Sequence, residues 1–408
     1  MGRETRIITI CVSFLMLATL STPAFARGPN SHGGGNSHGG GNSHGGGNSH
    51  GGGGKNFHAG AVYVLTNQTN NSVAVFRRDA KGILTAAGQF PTGGAGDPTP
   101  QPPDPATDPL ASQGALILDQ GNQFLFAVNA GSNEISVLKI NKNTLSIVDV
   151  VNSGGIRPIS LALQGDLLYV LNEGGTPNIT GFTVEDDGTL APLTGSTRPL
   201  IGGVAADPAQ IGFSQDGALL VVTEKNGNRL NTYTIDSNGL PSAPINNASN
   251  GMTPFGFAFN NADTLVVSEA FGGAPSQSAV SSYNAPGSGI LSVISGSVPN
   301  SQTASCWVVI TNNGKFAFVS NTGSGTISSY RINAEDGSLT LLNSIAANTG
   351  TGSAPIDMTL SNNSQFLYVL LGGTQSVAAF GVAQNNGNLT SINTYGGLPL
   401  GAQGIAAK

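Results

Sequence analysis

Short apolar runs recur along the chain from about residue 60 onward, and most of them end in Asn or Glu. The first run is 61–67, and a polar turn and a strand-like alternating segment, such as 135–140, follow each run. The later runs are 124–129, 167–172, 219–224, 264–269, 316–321 and 366–371. A strand-only repeat of roughly 40 to 50 residues is typical of the blades of a β-propeller.

A further short strand precedes every run except the first. These strands fall in segments 114–118, 159–163, 210–213, 256–259, 307–310 and 356–360. The missing copy lies at the opposite end of the chain, in 401–407. We therefore predict an all-β, seven-bladed propeller in residues 58–408, with the C-terminal strand completing the first blade. Such closure removes exposed sheet edges.

The N-terminal residues have the pattern of an export signal. Arg3 and Arg6 precede an apolar run, 7–20, and an Ala-Phe-Ala sequence at 24–26 is a typical cleavage site. We predict a signal peptide in residues 1–26 and a secreted, periplasmic or cell-surface protein. The apolar run is too short to predict a membrane span.

Residues 27–57 are dominated by four copies of Asn-Ser-His-Gly-Gly-Gly. Such a tract cannot bury apolar surface, so we predict a low-complexity, disordered and flexible linker. Its regularly spaced histidines leave weak metal capture as an alternative. No metal site or cofactor is predicted in the propeller.

Charged residues make up only 9% of the chain, and the formal net charge is -6. No stretch is rich in Lys or Arg, which argues against nucleic acid as a partner.

In a propeller, the first strand of each blade begins, and the second ends, on the same face of the disc. We therefore expect residues at the ends of the second strands and next to the inner strands to surround this mouth. The candidate catalytic residues among them are Arg157, Glu173, Glu224 and Glu269. The inner strands themselves add candidate ligand-binding residues: Gln113, Gln210, Asp357 and Gln403. The alternative is structural, because polar side chains at strand ends commonly bond to local backbone.

One insertion, 93–109, separates the first two repeats and carries Asp97, Asp104 and Asp108 among its prolines. We expect it to lie over the same mouth, either as a stiff lid or as a disordered excursion.

Residues 60–408 resemble the seven-bladed propeller lactonases, which include 6-phosphogluconolactonases and carboxymuconate cyclases. The matching motifs are 214–217 before the run at 219–224, 168–173, and 330–339. The resemblance implies that His, Arg and Glu at the channel mouth handle a lactone. Glu173 and Arg157 match that pattern, but no histidine follows His58.

Two functions stay open at this point. The first is an exported propeller that binds a small lactone or carbohydrate-like ligand, or a surface protein, at the mouth without catalysis. The second is a lactone hydrolase or related lactonising enzyme that uses Arg157 and Glu173, with Glu224 or Glu269. What distinguishes them is whether Arg157 and Glu173 converge on one pocket that holds a carboxylate free to act as base.

Overall fold

A computed structural model describes residues 59–100, 105–142 and 144–408. The predicted signal peptide and linker lie outside the described residues. The described chain forms seven antiparallel sheets, one for each predicted blade, so the prediction of an all-β seven-bladed propeller is confirmed.

The first three blades use the N-terminal half of the described chain. Blade 1 begins with Gly60–Leu65 (β1), Ser72–Arg78 (β2) and Leu84–Pro91 (β3). Blade 2 consists of Leu116–Leu118 (β4), Phe124–Asn129 (β5), Glu134–Asn141 (β6) and Thr144–Asn152 (β7). Blade 3 has a fifth strand and consists of Ile156–Gln164 (β8), Leu167–Gly174 (β9), Asn178–Val184 (β10), Leu190–Pro192 (β11) and Arg198–Pro199 (β12).

The remaining four blades have four strands each. Blade 4 consists of Pro208–Phe213 (β13), Leu219–Glu224 (β14), Arg229–Thr234 (β15) and Ile245–Ala248 (β16). Blade 5 consists of Pro254–Phe259 (β17), Thr264–Glu269 (β18), Ala279–Asn284 (β19) and Ser292–Pro299 (β20). Blade 6 consists of Ser305–Ile310 (β21), Phe316–Asn321 (β22), Thr326–Ile332 (β23) and Leu339–Asn348 (β24). Blade 7 consists of Pro355–Leu360 (β25), Phe366–Leu371 (β26), Ser376–Val382 (β27) and Leu389–Gly396 (β28).

The last strand, Ile405–Ala407 (β29), closes the ring. It pairs antiparallel with β1 and so supplies the innermost strand of blade 1. The innermost strands then contact one another in cyclic order, β4, β8, β13, β17, β21, β25 and β29, and they enclose a central channel. Two single-turn 3-10 helices, Gly203–Ala205 and Phe271–Gly273, lie in connections between strands.

Burial follows the position of a strand in its blade. Every residue of β5, β14, β18 and β22 is buried, because neighbouring blades cover both faces of the second strand. The outermost strand β28 has no fully buried residue. Buried tyrosines link neighbouring blades: the Tyr169 hydroxyl donates to the Gly239 carbonyl, and the Tyr368 hydroxyl donates to the Gly82 carbonyl.

Removal of residues 401–408 tests the closure. We expect the shortened protein to lose more than about 5 °C of Tm and to aggregate, because the edge of β1 becomes exposed and blade 1 loses its inner strand. Differential scanning calorimetry and light scattering measure both effects. Lys408→Ala is the control, since it keeps the backbone carbonyl that bonds to Ala61 and Arg78. A truncated protein with unchanged Tm and solubility would contradict closure by β29.

Candidate functional site

Each innermost strand is preceded or opened by a residue in the left-handed backbone conformation. These residues are Ala111, Arg157, Asp207, Thr253, Ala304, Ala354 and Gly401. In blades 4 to 7, the carbonyl of this residue accepts a hydrogen bond from the amide of the residue that follows the second strand, namely Lys225, Ala270, Thr322 and Gly372. The two backbone positions are therefore adjacent at one face of the disc, which we call the mouth.

Only blades 3 and 4 have charged residues at both of these positions. Blade 3 places Arg157 opposite Glu173, and blade 4 places Asp207 opposite Lys225. Because the two blades are neighbours, the two ion pairs lie side by side with alternating sign. We call these four residues, together with Asp97 from the insertion, the mouth cluster.

Arg157 is the centre of the mouth cluster. Its Nη1 donates to Glu173 Oε2, its Nε to Asp97 Oδ2 at 3.2 Å, and its Nη2 to the carbonyl of Pro109 at 2.6 Å. The Arg157 side chain is only 10% exposed. A planar guanidinium with several donors is suited to holding two carboxylates and a carbonyl together.

Lys225 has a similar role in blade 4. Its Nζ lies 2.9 Å from Asp207 Oδ1 and donates to the Ala111 carbonyl at 3.2 Å. It also lies 5.2 Å from the centre of the Phe255 ring, within the range of a cation–π contact. Both cations of the cluster thus bind carboxylate and a backbone carbonyl: Arg157 that of the last residue of the insertion, and Lys225 that of Ala111, just after it.

The pKa of Glu173 is raised above its ordinary value. Burial is the main cause, because it disfavours the charged form. The charges of Arg157 and, less strongly, Lys225 lower the pKa, but burial outweighs them, and the charge of Asp207 raises it further. Since charges from both blades act on this carboxyl, the two ion pairs form one electrostatic unit.

The described parts of the insertion, 93–100 and 105–109, lie at the mouth, as expected. The Asn67 side chain bonds to both the amide and the carbonyl of Asp97, at 2.9 and 2.8 Å. A Cβ added to Gly401 would come within 3.4 to 3.6 Å of Pro109, Ala106 and Pro98. The insertion is therefore held by blade 1 on one side and by Arg157 on the other.

Glu224 and Glu269 lie away from the mouth cluster. Both are fully buried at the ends of β14 and β18. Glu224 accepts from the Gly202 amide and the Asn231 side chain, and it lies 3.4 Å from Arg229 Nε. Glu269 accepts from the Gly251 amide at 2.8 Å and from Ser297 Oγ at 2.6 Å. Their contacts join second strands to the connections between neighbouring blades and to outer strands, and their chemical role stays a prediction.

Gln113 spans the channel. Its side-chain Nε2 donates to the Val308 carbonyl at 2.8 Å, and its Oε1 accepts from the Val308 amide at 3.1 Å. Gln113 belongs to blade 2, whereas Val308 lies in blade 6 on the far side of the ring. A Cβ at Gly256 would lie 2.2 Å from Gln113 Oε1, so this crossing requires glycine there. Nearby, the Trp307 indole donates to the Ser112 carbonyl at 2.9 Å.

The other predicted ligand-binding residues bond to backbone groups rather than to the mouth cluster. Gln210 bonds through both ends of its amide to the backbone of Phe257, at 2.6 and 3.0 Å. Gln113, Gln210 and Asp357 line a channel cavity that also reaches the turns at the opposite ends of the inner strands. Gln403 is buried at the start of the last inner strand and is not among the residues that line this cavity.

Lys225 and Asp207 were missed as candidates, although the sequence contains a signal for them. Arg157 and Asp207 each directly precede a proline, and Glu173 and Lys225 each directly follow the polar end of a second strand. Aligning the repeats of blades 3 and 4 therefore places Arg157 at the position of Asp207, and Glu173 at the position of Lys225, so that the charges are reversed between the two blades. The insertion contributes Asp97, which no repeat pattern could have placed.

The sequence matches the family model described as "Lactonase, 7-bladed beta-propeller" over residues 56–205, 116–291 and 288–401. No protein with a curated description matches it.

Solved structures show the same fold at low sequence identity. A periplasmic gluconolactonase from Pseudomonas aeruginosa superposes with a TM-score of 0.65 at 16% identity, covering 84% of this chain and 98% of its own. A proposed 6-phosphogluconolactonase from Bacteroides uniformis has a TM-score of 0.63 at 19% identity, with the same coverage of 84% and 98%. A protein of unknown function from Desulfotomaculum acetoxidans has a TM-score of 0.66 at 12% identity, covering 85% and 98%.

Arg157→Ala tests whether the mouth cluster holds the insertion. The change leaves Glu173 and Asp97 without their shared cation, so we expect the free energy of unfolding to fall by about 3 kcal/mol. We also expect faster proteolysis within 93–109. Arg198→Ala is the matched control, because Arg198 donates to exposed backbone carbonyls of Gly195 and Thr197. Equal stability and equal proteolysis of the two variants would refute this role.

Asp357→Asn tests the buried carboxyl of the channel. Burial raises the pKa of Asp357 from 3.8 to about 7. Between these values the folded protein holds more protons than the unfolded chain, so this group makes stability fall as pH rises from about 4 to 7. An Asn side chain does not ionise, so the variant avoids this loss. Its free energy of unfolding should exceed that of the native protein by an amount that grows with pH, to at most about 4 kcal/mol at pH 8. Urea unfolding at several pH values measures it; a gain independent of pH would contradict the assignment.

Proposed function

The chain belongs to the seven-bladed β-propeller lactonase family, and we propose that it binds a small neutral lactone or carbohydrate-like ligand at the mouth cluster without hydrolysing it. The observation that carries this proposal is that three carboxylates at the mouth are partly exposed and paired with cations. Asp97, Glu173 and Asp207 have side chains 20%, 16% and 22% exposed, and each is held by a buried cation.

Such carboxylates form a fixed set of hydrogen-bond acceptors. Carboxylate oxygens have several acceptor positions each, and ion pairing with Arg157 and Lys225 leaves some of them available at the exposed edges. The hydroxyl groups of a sugar or sugar lactone are donors of the matching kind. Because the acceptors are held in place before binding, little conformational entropy is lost when a ligand arrives.

The same arrangement disfavours anionic ligands. Three carboxylates face two cations, and both cations also donate to backbone carbonyls, of Pro109 and Ala111. A phosphorylated sugar would meet carboxylates rather than an unoccupied cation. We therefore expect selectivity for neutral ligands.

Hydrolysis is disfavoured because the cluster has no unengaged base. Glu173 and Asp97 are bound to Arg157, and Asp207 is bound to Lys225. Arg157 and Glu173 thus converge, but not on a carboxylate free to take a proton. The imidazole that the family resemblance implies is also missing, since no histidine follows His58.

Lactone hydrolysis is the second candidate, and one observation favours it. Burial raises the pKa of Glu173 even beside two cations, and a raised pKa makes a carboxylate a stronger base. In this alternative Glu173 activates water, and Arg157 Nη2, which here binds the Pro109 carbonyl, stabilises the oxyanion of the lactone. The segment around Pro109 would have to withdraw first.

The proposal includes export of the protein. Export is supported by the signal-peptide pattern of the sequence and by the shared fold with a periplasmic gluconolactonase. Within the described residues, no helix is long and apolar enough to cross a membrane.

The test combines calorimetric titration and a pH-stat assay of the purified protein. We expect glucono-1,5-lactone and its non-hydrolysable polyol analogue to bind, with a 6-phosphorylated analogue at least tenfold weaker and no acid release above buffer. Glu173→Gln should weaken binding about tenfold, because it removes a charged acceptor from the cluster.

Arg198→Ala is the control and should bind normally. Acid release by native protein that is lost in Glu173→Gln would replace the binding proposal with hydrolysis. Absence of both binding and acid release would refute both.

A further inference from the structure

The channel contains a cavity, which we call its second compartment, and Gln113, whose side chain bonds across the channel to Val308, is one of its lining residues. This cavity has a volume of about 410 Å³, and its walls are the inner strands of several blades. It extends to Gln164, the last residue of β8, and to the exposed turn residues Gln120 and Gln215, on the face opposite the mouth. Its volume falls within the range of small-molecule sites, about 300 to 1,000 Å³.

Asp357 is the one titratable residue among those that line the cavity. It is only 3% exposed. Its Oδ1 accepts from the Met358 amide at 2.9 Å, whereas its Oδ2 has no hydrogen-bond partner in the described structure. The pKa of Asp357 is raised to about 7 by burial, although the nearby backbone amides of Met358, Ile405 and Gly114 act against this shift; those of Ile405 and Gly114 do not reach hydrogen-bond geometry with Oδ2. A buried carboxyl oxygen without a donor is costly and needs an explanation.

The backbone at Asp357 is also unusual. Strands β8, β13, β21 and β25 each contain a bulge, at Ile159, Ala209, Cys306 and Asp357 respectively. Of these four residues, only Asp357 has a positive φ, 38°. Such conformations cost free energy and are concentrated at ligand-binding and active sites.

We propose that this cavity binds a small organic cation, a primary ammonium group on an apolar body, with Asp357 as its counter-ion. An ammonium group can donate to Oδ2 and supplies the charge that the lining lacks. Apolar side chains, among them Leu116, Leu161 and Met358, line the same cavity and suit a hydrocarbon body.

A divalent metal ion fits the cavity less well. It needs about six oxygen ligands, and most of these would have to come from side chains or carbonyls around Asp357. The amide oxygens of Gln113 and Gln210 already accept backbone N–H bonds, from Val308 and Phe257. A single carboxylate with one open oxygen is better matched to a monovalent ammonium group.

This proposal is independent of the function proposed for the mouth. None of the five residues of the mouth cluster is among those that line the cavity. Either site can therefore fail its test without deciding the other.

The test is calorimetric titration of the purified protein with linear primary alkylamines of four to six carbons and with the alcohols of the same length. At pH 8 we expect the amine to bind at least tenfold more tightly than the alcohol, because only the amine is charged. Asp357→Asn should abolish this preference, whereas Glu173→Gln, at the mouth, should leave it unchanged.

Amine affinity should also rise between pH 6 and 8, as Asp357 ionises. The strands packed against β25 carry the titratable side chains Cys306 and Tyr368, and neither is among the residues that line the cavity. Carboxyl NMR of the native protein provides a second measurement that needs no variant: saturating amine should lower the pKa of Asp357. Equal binding of amine and alcohol, an Asn variant that keeps the preference, or an unmoved Asp357 pKa would each overturn the proposal.

Discussion

Closure of the ring by β29 is the interaction on which the rest of the molecule depends. Three residue pairs join β29 to β1, and they make the first and last segments of the propeller a single blade. That blade anchors the insertion, through Asn67 and through the packing of Gly401 against Pro98 and Pro109. Two of the partners of Arg157, Asp97 and the Pro109 carbonyl, belong to this insertion, so their positions depend on a blade that the two ends of the propeller build together.

A second constraint is the crossing of the channel by Gln113. A buried amide is tolerated only when its donor and acceptor are both used, and here the carbonyl and the amide of one residue of β21, Val308, use both. Gln113 also lines the cavity of the channel together with Asp357, whereas Arg157 is not among the lining residues. Residues that the topology places in one ring, such as Arg157 and Asp357, therefore have different surroundings.

The sequence predicted the blades well because their signal is local and repeated: buried second strands and glycine-containing turns. It also brought Arg157 and Glu173 together through the family resemblance. It grouped Glu224 and Glu269 with Glu173, although these two residues are aligned with Asn172, one position earlier. In a strand a shift of one residue reverses the face on which a side chain lies, so they point into their blades while Lys225 reaches the mouth. The crossing by Gln113 depends on a long-range contact that no periodicity encodes.

The two compartments differ in how their carboxylates are compensated, and this difference determines what each can hold. Ion pairs taken out of water add little net stability, because desolvation offsets their attraction. The paired carboxylates of the mouth cluster are thus better explained as positioned acceptors than as a source of stability. Among the described residues no cation is paired with Asp357, and its ionisation costs stability. A ligand that donates to Oδ2 would recover that cost, which gives a cationic ligand a larger gain in the cavity than at the mouth.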